Sequence, residues 1–417
     1  MKKSLLSLAL AVVIPAAISA QSLVIINDDL GIENYGGLQG LSISENGKWI
    51  SGSTQAYAGF LLNMETAAVI YDEALDDFGC ELRSVSNTGT AVGMNVNAIT
   101  IDALGSKQIL ETPDGNQSIA NDITPDGSLI VGLTYDEGYR ETPVIWNADG
   151  SLVSLPVPTT EDMGFEVNGG RCCKVSEDGS VIVGYLVDNY ATYPVVFWFR
   201  QDDGSYAIDT EIAKNFFEPG EGDKPYLVIS PSAISKNGRY VALQLMVNDG
   251  SYTYYNGVYD LQTHELYKAT VLGDFEGAAY YPSAISNNGD VVGMVIYGWN
   301  QRIPYVYSIG NEYGTTFADT FKSAEFSDFI AADIAIPTNI TGDGRYVIGW
   351  SVDYETYAYY TFLIDFSTGA VNKIAVDPSA AEEVARYDIS GKKISKNTPG
   401  INIIRMSDGS AQKVLVK

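Results

Sequence analysis

The sequence predicts an all-β protein, a seven-bladed β-propeller of four-stranded antiparallel blades followed by a small C-terminal β tail. A short phrase recurs seven times along the 417 residues: an aliphatic residue, Ser or Thr, one free position, usually Asn or Asp, and Gly. Its glycines are 38 residues (Gly89 to Gly127) to 59 residues (Gly179 to Gly238) apart. This spacing is typical of propeller and solenoid arrays. Six or eight blades remain alternatives if one copy is degenerate or hidden. The copies begin at Ile43, Val85, Ile123, Val175, Ile234, Ile285 and Ile340.

Residues 1–20 have the organisation of a secretory signal peptide. Lys2 and Lys3 precede an apolar stretch that ends at Ile18, and small residues follow up to Ala20. This pattern predicts export and cleavage, and the stretch is too short to span a membrane. We therefore expect an exported chain without a transmembrane segment in its mature form, either secreted or associated with the outer membrane or cell surface.

The charge and the cysteines limit the possible partners. The net charge is −27, and no basic stripe interrupts it, so we do not expect nucleic acid as a partner. The excess of carboxylates is also explained by solubility alone. Cys80, Cys172 and Cys173 are an odd number of cysteines, which excludes a complete disulfide framework. We expect buried apolar thiols, with a strained Cys172–Cys173 bridge as the alternative.

Each repeat divides into four strand-length segments, as expected for one blade. The phrase connects the first segment to the second. Its hydroxyl is expected to bond a backbone N–H two residues on, and its Gly supplies a positive φ. The aliphatic residue is expected to face the core between blades. We assign the phrase a structural and not a catalytic role. The propeller is predicted over residues 21–378, with Ser22 to Asn27 as a strand that closes the ring.

The connections after the second and fourth strands are longer than the others and vary in sequence. In an up-and-down blade these connections emerge on one face, and variable loops on a rigid scaffold commonly carry binding sites. An alternative is that many of their tyrosines begin the third strand and pack between blades. The predicted ligand-binding residues are Tyr139, Asp188, Tyr190, Tyr193, Tyr254, Tyr255, Tyr297, Trp299, Asp353 and Tyr357.

Residues 379–417 differ from the body and are predicted to form a separate β tail. Residues 386–417 contain seven Lys or Arg against two Asp. Strand-like segments occupy 392–395, 401–406 and 413–416, separated by turn-forming residues.

Two family resemblances follow from these motifs. The repeats combine Ile-Ser, Asn or Asp followed by Gly, Val-Gly and a later strand such as Pro143 to Trp146, and they resemble HAF-type extracellular repeats. That resemblance implies a propeller-like β array. The tail, with Tyr387 to Lys393, Pro399 to Ile404 and Lys413 to Lys417, resembles the C-terminal sorting signals of type IX secretion substrates. The resemblance implies that the export machinery is a partner of the tail.

Catalytic motifs are sparse. The one histidine, His264, lies in a predicted turn, and no nucleophile elbow is present. Paired carboxylates could still hydrolyse a glycosidic bond, but the sequence identifies no pair. We expect no cofactor and no metal site. The favoured function is a non-enzymatic binding module for an extracellular glycan, peptide or protein. The alternatives are a glycan-active hydrolase or lyase that uses Asp or Glu, and a structural surface protein without a small ligand.

Overall fold

The computed structural model describes most of the propeller and five segments of the tail. The described residues are 22–29, 37–75, 79–163, 166–187, 195–210, 212, 226–247, 254–271, 278–298, 301–320, 334–353, 357–366, 383–388, 392–396, 398, 400–406 and 411–416. The predicted signal peptide, residues 1–20, lies outside them, as does the predicted boundary at 378 and 379.

Within these residues the strands pair into seven four-stranded antiparallel units, numbered here as blades 1 to 7. Blade 1 contains β2 (Leu38–Ile43), β3 (Trp49–Thr54), β4 (Gly59–Asn63) and β5 (Val69–Asp72). Blade 2 contains β6 (Cys80–Val85), β7 (Ala91–Asn95), β8 (Asn97–Ile101) and β9 (Lys107–Ile109). Blade 3 contains β10 (Ser118–Ile123), β11 (Leu129–Tyr135), β12 (Glu141–Asn147) and β13 (Leu152–Ser154). Blade 4 contains β14 (Gly169–Val175), β15 (Val181–Val187), β16 (Val195–Arg200) and β17 (Tyr206–Ile208).

The remaining three blades are joined by hydrogen bonds into one twelve-stranded sheet. Blade 5 contains β18 (Tyr226–Ile234), β19 (Tyr240–Val247), β20 (Tyr254–Asp260) and β21 (Glu265–Val271). Blade 6 contains β22 (Ala279–Ile285), β23 (Asp290–Tyr297), β24 (Gln301–Ser308) and β25 (Tyr313–Thr316). Blade 7 contains β26 (Ile334–Ile340), β27 (Tyr346–Val352), β28 (Tyr359–Asp365) and, from the N-terminus, β1 (Ser22–Ile25). Short parallel pairings, β21 with β25 and β24 with β26, join the three blades.

Helices are few and short in the described part of the chain. They are α1 (Ile26–Asp29), α2 (Thr160–Met163), α3 (Phe317–Thr320) and a 3-10 turn at Pro113–Gly115, and the described residues Thr210 and Ile212 are also helical. No helix among the described residues is long and apolar enough to cross a membrane. The prediction of an all-β propeller built from four-stranded antiparallel blades is confirmed.

The ring closes where the N-terminal strand, predicted over Ser22 to Asn27 but ending at Ile25 because α1 begins at Ile26, meets the last blade. β1 pairs antiparallel with β28, from Ser22 opposite Asp365 to Ile25 opposite Phe362. The first strand of each blade packs beside the first strands of both neighbouring blades, including β2 beside β26. The seven first strands therefore surround the axis, and the N-terminal segment completes blade 7 as its fourth strand.

All seven phrases connect the first strand of a blade to the second, and so they lie on one face of the disc, called here the phrase face. The opposite face, which carries the connections from second to third strands, is called the loop face. Every aliphatic residue of the phrase is buried in a core between blades, as predicted. The register of the blades therefore agrees with the sequence pattern.

The fourth phrase shows the turn chemistry. The Ser176 hydroxyl donates to Asp178 Oδ1 at 2.9 Å and accepts the Val181 N–H at 3.0 Å. Gly179 has a φ of 69°, where a side chain would be strained. In the sixth phrase the Asn288 N–H donates to the Ser286 hydroxyl, two residues back, at 3.2 Å, as predicted. In the fourth phrase the hydroxyl instead bonds an N–H five residues on. The reason is that the side chain of Asp178 occupies the near side of the turn and accepts the Ser180 N–H at 2.8 Å.

The thiols form no disulfide, although all three belong to the described residues. Cys80 and Cys172 are buried and Cys173 is half-buried, so the prediction of buried thiols is confirmed for the first two. The alternative of a Cys172–Cys173 bridge is wrong. Burial raises the pKa of Cys80 to about 12 and that of Cys173 to about 12, which keeps both as thiols at neutral pH.

The tail contains a separate three-stranded antiparallel sheet of β29 (Glu383–Asp388), β30 (Gly400–Met406) and β31 (Ala411–Val416). The predicted strands at 401–406 and 413–416 are confirmed. The predicted strand at 392–395 is wrong, because the partner of β30 is β29. Residues 392–395 follow that strand, and the Ile394 N–H donates back to the Arg386 carbonyl at 2.8 Å.

We expect Thr361→Val to destabilise the closed ring. The buried Thr361 hydroxyl accepts the Gly40 N–H at 2.8 Å and donates to the Leu38 carbonyl at 2.8 Å, across the seam between blades 7 and 1. Valine keeps the shape and leaves both groups unsatisfied, a loss of about 1–3 kcal/mol. Urea unfolding measures this loss. Thr361→Ser should restore most of the stability, and an unchanged midpoint for the valine variant would contradict the assignment.

Candidate functional site on the loop face and the axis

Six of the ten predicted ligand-binding residues belong to the described residues, and all six lie at the loop face. They are Tyr139, Tyr254, Tyr255, Tyr297, Asp353 and Tyr357. The other four, Asp188, Tyr190, Tyr193 and Trp299, lie outside the described residues.

Three of these tyrosines support the packing of blades. Tyr255 packs against the core between blades 4 and 5, and the Lys268 ammonium lies 5.5 Å from the centre of its ring. Tyr254 and Tyr297 pack against the core between blades 5 and 6. All three are half-buried. These positions agree with the alternative that tyrosines at the ends of the strands pack between blades.

Tyr139 and Tyr357 have a different environment, which they share with Tyr57, a residue that the sequence analysis did not select. Each follows the second strand of its blade, and their side chains are 78%, 66% and 68% exposed, respectively. Each also has a left-handed backbone, with φ of 58°, 57° and 63°. A non-glycine residue there costs about 1–2 kcal/mol. Three blades therefore present an exposed aromatic ring on a strained backbone.

A short hydrogen-bonded turn holds each tyrosine, and it closes three residues back at Tyr57 and Tyr139 but four residues back at Tyr357. The N–H of Tyr57 donates to the Thr54 carbonyl at 3.0 Å, and that of Tyr139 donates to the Asp136 carbonyl at 3.0 Å. The N–H of Tyr357 donates to the Asp353 carbonyl at 2.6 Å. Glycine usually occupies the left-handed position of such hairpin loops. A tyrosine therefore occupies three positions at which the left-handed backbone conformation favours glycine.

Two of these tyrosines lie on neighbouring blades, at the seam between blades 7 and 1. Gln55 Nε2 donates to the Tyr357 carbonyl at 2.8 Å, and the Tyr57 carbonyl accepts the Cys80 N–H at 2.8 Å. A Cβ on Gly79 would lie 3.2 Å from the Tyr57 Cβ, so space beside that loop is limited. Contacts from adjacent blades thus fix the strained backbone and leave the rings in solvent. Such strain is a reason to suspect function.

Charged side chains lie on the first strands of blades 2 and 4, beneath the loop face. The Arg171 guanidinium donates two hydrogen bonds to the Glu141 carboxylate, and the bond from Nε to Oε2 is 2.7 Å long. The same guanidinium lies 5.1 Å from the centre of the Tyr185 ring. Arg83 bonds Glu81 at 2.9 Å and reaches Asn121 of the next blade at 2.8 Å. These bonded pairs join blades 2, 3 and 4.

The seven free positions of the phrase meet around the axis at the phrase face. The Glu177 N–H donates to the Lys236 carbonyl at 2.7 Å, and the Asn287 N–H donates to the Gly342 carbonyl at 2.8 Å. The Gly342 N–H donates in turn to Glu45 Oε2 at 2.5 Å. A Cβ on Gly342 would lie 3.2 Å from the Lys236 Cβ, so residues of blades 5 and 7 approach each other there. The free positions are Glu45, Asn87, Pro125, Glu177, Lys236, Asn287 and Gly342.

Lys236 is the centre of an axial charge cluster. Protein surrounds it, although part of its side chain meets solvent. Burial alone would lower the pKa of Lys236. Attraction to the Asp122, Glu45 and Glu177 carboxylates outweighs burial, so the pKa of Lys236 is raised. Conversely, burial raises the pKa of Glu45, and neither Lys236 nor the Gly342 N–H cancels the increase.

Asp122 supports the same cluster from blade 3. Its carboxylate accepts the Ser84 hydroxyl at 2.6 Å and the Val175 N–H at 3.0 Å, and it lies 3.8 Å from Lys174 Nζ. Burial alone would raise the pKa of Asp122, but Lys174, Lys236 and these hydrogen bonds lower it. The ionised carboxylate therefore joins blades 2, 3 and 4 near the axis.

Asp136, a loop-face carboxylate with a shifted pKa, accepts hydrogen bonds that stabilise its own turn. Hydrogen bonds from the Arg140 and Gly138 N–H groups lower the pKa of Asp136, whereas a general acid needs a raised pKa. Among the described residues, no three His, Cys, Asp or Glu side chains are close enough to hold a metal ion. His264 is exposed in a phrase-face turn, with Nδ1 3.0 Å from the Tyr259 hydroxyl.

Sequence reasoning missed Tyr57 and the axial cluster for different reasons. Tyr57 follows the second strand of the first copy, as Tyr139 does in the third, so aligning the copies would have selected it. The free position is the one position of the phrase without a shared residue type. In a repeat that surrounds an axis, such a position is available for side chains that differ between blades.

Comparison with protein-family models finds no match, and comparison with curated proteins finds none. Among solved structures, the fold is similar to an oligogalacturonate lyase from Vibrio parahaemolyticus, with 12% identity, a TM-score of 0.49, and coverage of 83% of this chain and 95% of that chain. An oligogalacturonate lyase in complex with manganese has 10% identity, a TM-score of 0.49, and coverage of 83% and 94%. TolB from Acinetobacter baumannii has 10% identity, a TM-score of 0.37, and coverage of 68% and 63%. These similarities concern the fold and not the site.

We expect Glu45→Gln to change how stability depends on pH. Because the pKa of Glu45 is raised on folding, its contribution to the free energy of unfolding decreases as pH rises above about 4.3, the ordinary value for glutamate. Glutamine keeps an oxygen for the Gly342 N–H and does not titrate. The stability of the variant relative to the parent should therefore increase from pH 4.5 to 7, as measured by thermal unfolding.

Asp126→Asn is the control of opposite sign. Its carboxylate accepts hydrogen bonds from the Thr124 hydroxyl and the Ser128 N–H, and these lower its pKa. Its contribution is present above the ordinary aspartate value of about 3.9 and is lost below it. A Glu45→Gln difference that is constant with pH would contradict the axial assignment.

Proposed function

We propose that this propeller is a non-enzymatic recognition module of the cell exterior whose loop face binds an extracellular glycan, peptide or protein. The observation that carries the proposal is the set of exposed tyrosines on left-handed backbone at Tyr57, Tyr139 and Tyr357. Selection for folding alone favours glycine at such positions. A binding role explains why the aromatic side chain is retained.

The chemistry of these side chains suits such ligands. A tyrosine ring offers a flat apolar surface and a hydroxyl that donates or accepts a hydrogen bond. Because the backbone is fixed by contacts from the next blade, as at Tyr57 and Cys80, binding requires little additional ordering of the loop. The predicted residue Asp353 lies on the same proposed face, whereas the predicted residues Asp188 and Trp299 lie outside the described residues.

A glycan-active hydrolase or lyase is the second candidate, and the raised pKa of Glu45 beside Lys236 favours it. A carboxyl group whose pKa is raised can act as a general acid. On this hypothesis Glu45→Gln would abolish cleavage of polysaccharides, whereas the recognition module cleaves none. A structural surface protein without a small ligand is the third candidate.

We also propose that the chain is exported and that its tail engages the export machinery. Support comes from the composition of residues 1–20 and from the separate sheet formed by β29, β30 and β31. N-terminal sequencing of the protein recovered outside the cell tests the first part. Retention inside the cell after removal of residues 379–417 tests the second.

We expect the double variant Tyr57→Gly/Tyr357→Gly to lose ligand binding while remaining folded. Glycine removes about 1–2 kcal/mol of backbone strain at each site, offset by about 0.5–1 kcal/mol of extra entropy in the unfolded chain. The melting temperature should therefore stay constant or rise. Binding on a glycan array and to a displayed peptide library should decrease by about tenfold or more, because both rings are removed.

Two comparisons make this test specific. Tyr57→Phe/Tyr357→Phe keeps the rings and should retain most of the binding. Tyr313→Gly removes a tyrosine that is 44% exposed on the outer strand of blade 6, and it should leave binding intact. Full binding by the double glycine variant would refute the proposed face, and no binding by the parent on either array would favour a structural protein.

A further inference from the structure

A cleft of about 200 Å³ opens between blades 3 and 4 on the phrase face, away from the loop-face tyrosines. Its walls come from the ends of the second and third strands and from the outer strands of the two blades. Eleven residues line it: Leu129, Ile145, Asn147, Val153, Ser154, Leu155, Pro156, Arg200, Gly204, Ser205 and Tyr206.

The floor of the cleft is apolar and rigid. Leu129, Ile145 and Leu155 are at most 7% exposed and belong to the core between blades 3 and 4. The Tyr206 hydroxyl donates to the Gly179 carbonyl at 2.6 Å, which fixes the ring as one wall. Trp198 Nε1 donates to the Pro156 carbonyl at 2.8 Å and fixes the wall on the other side. The cleft is thus bounded by fixed groups.

Arg200 supplies the only basic side chain of this lining. It is exposed at the end of β16, and a Cβ on Gly204 would lie 4.0 Å from its terminal nitrogen. Asp203 of the same turn is engaged by Ser205, whose hydroxyl donates to it at 2.6 Å. Within the described residues, the guanidinium makes no ion pair or hydrogen bond, although the protein carries 52 acidic residues.

Several other described cations in this acidic protein have carboxylate partners, among them Lys107, which lies 2.7 Å from Asp72. Arg239 pairs with Asp260 at 2.7 Å, and Arg345 pairs with Asp365 at 3.2 Å. An unpaired guanidinium beside an apolar cleft therefore provides charge complementarity for an anion whose body is apolar. A planar guanidinium binds a carboxylate through two parallel hydrogen bonds.

We propose that this cleft binds a small carboxylic acid with an apolar body, the carboxylate on Arg200 and the body against Leu129, Leu155 and Tyr206. The volume is below the range of about 300–1,000 Å³ for drug-sized ligands, so the apolar body is short, comparable to one large side chain. This site lies on the opposite face from the proposed recognition surface. Its test is therefore independent of that proposal.

The test is a titration of the full chain with hexanoate, hexan-1-ol and hexylamine, followed by saturation-transfer NMR. These probes share one apolar body and differ in the head group. Hexanoate should bind most tightly, and Arg200→Gln should weaken its binding by about tenfold, the loss expected for one charge-assisted pair. Ser154→Trp, at an exposed position of the lining, should block the cleft and abolish binding.

Arg345→Gln is the matched control, because it makes the same charge change on the same face but on blade 7. It should leave the affinity for hexanoate unchanged.

N-Acetylleucine distinguishes a polypeptide C terminus from a free acid as the natural ligand. Tighter binding of N-acetylleucine than of hexanoate supports a polypeptide C terminus, and weaker binding supports a free acid. Equal binding of hexanoate and hexan-1-ol would overturn the proposal, as would hexanoate binding that survives both Arg200→Gln and Ser154→Trp.

Discussion

Closure of the ring between blades 7 and 1 is the interaction on which the rest of the molecule depends. A blade buries its two faces only against its neighbours, so an open ring would expose two apolar sheet faces. The chain closes the ring with β1, which pairs with β28 although more than 330 residues separate them. Thr361, Leu38 and Gly40 join the two blades by buried hydrogen bonds. The two linked tyrosine loops lie at this seam.

The repeated turn has two roles that its sequence combines in five residues. Its hydroxyl, Asn or Asp and Gly make a local turn, as the bonds among Ser176, Asp178 and Val181 show. Its free position faces the axis and carries residues that differ from blade to blade. The opposite charges of Glu45 and Lys236 meet there because the turns hold them at equivalent positions on different blades. The turn that stabilises each blade therefore also positions the side chains that differ from blade to blade.

The loop face shows how a rigid scaffold tolerates local strain. Tyr57 remains in a left-handed conformation because its N–H and carbonyl are both bonded, the second to the next blade. Strain of this kind persists where surrounding contacts determine the backbone. The half-buried Tyr254 and Tyr297 on the same face pack against a core instead. Residue type alone does not separate these two environments.

The sequence by itself determined the propeller class, the position of the phrase between first and second strands, the burial of its aliphatic residues and the closing strand at Ser22. These features depend on local periodicity and turn chemistry, which a sequence records directly. The tertiary structure decided that β29 is Glu383–Asp388 and not 392–395. It also decided which tyrosines are exposed, and that Lys236 faces Asp122 and Glu45. Those outcomes depend on contacts between side chains of different blades, and the distances between these side chains are set only when the ring closes.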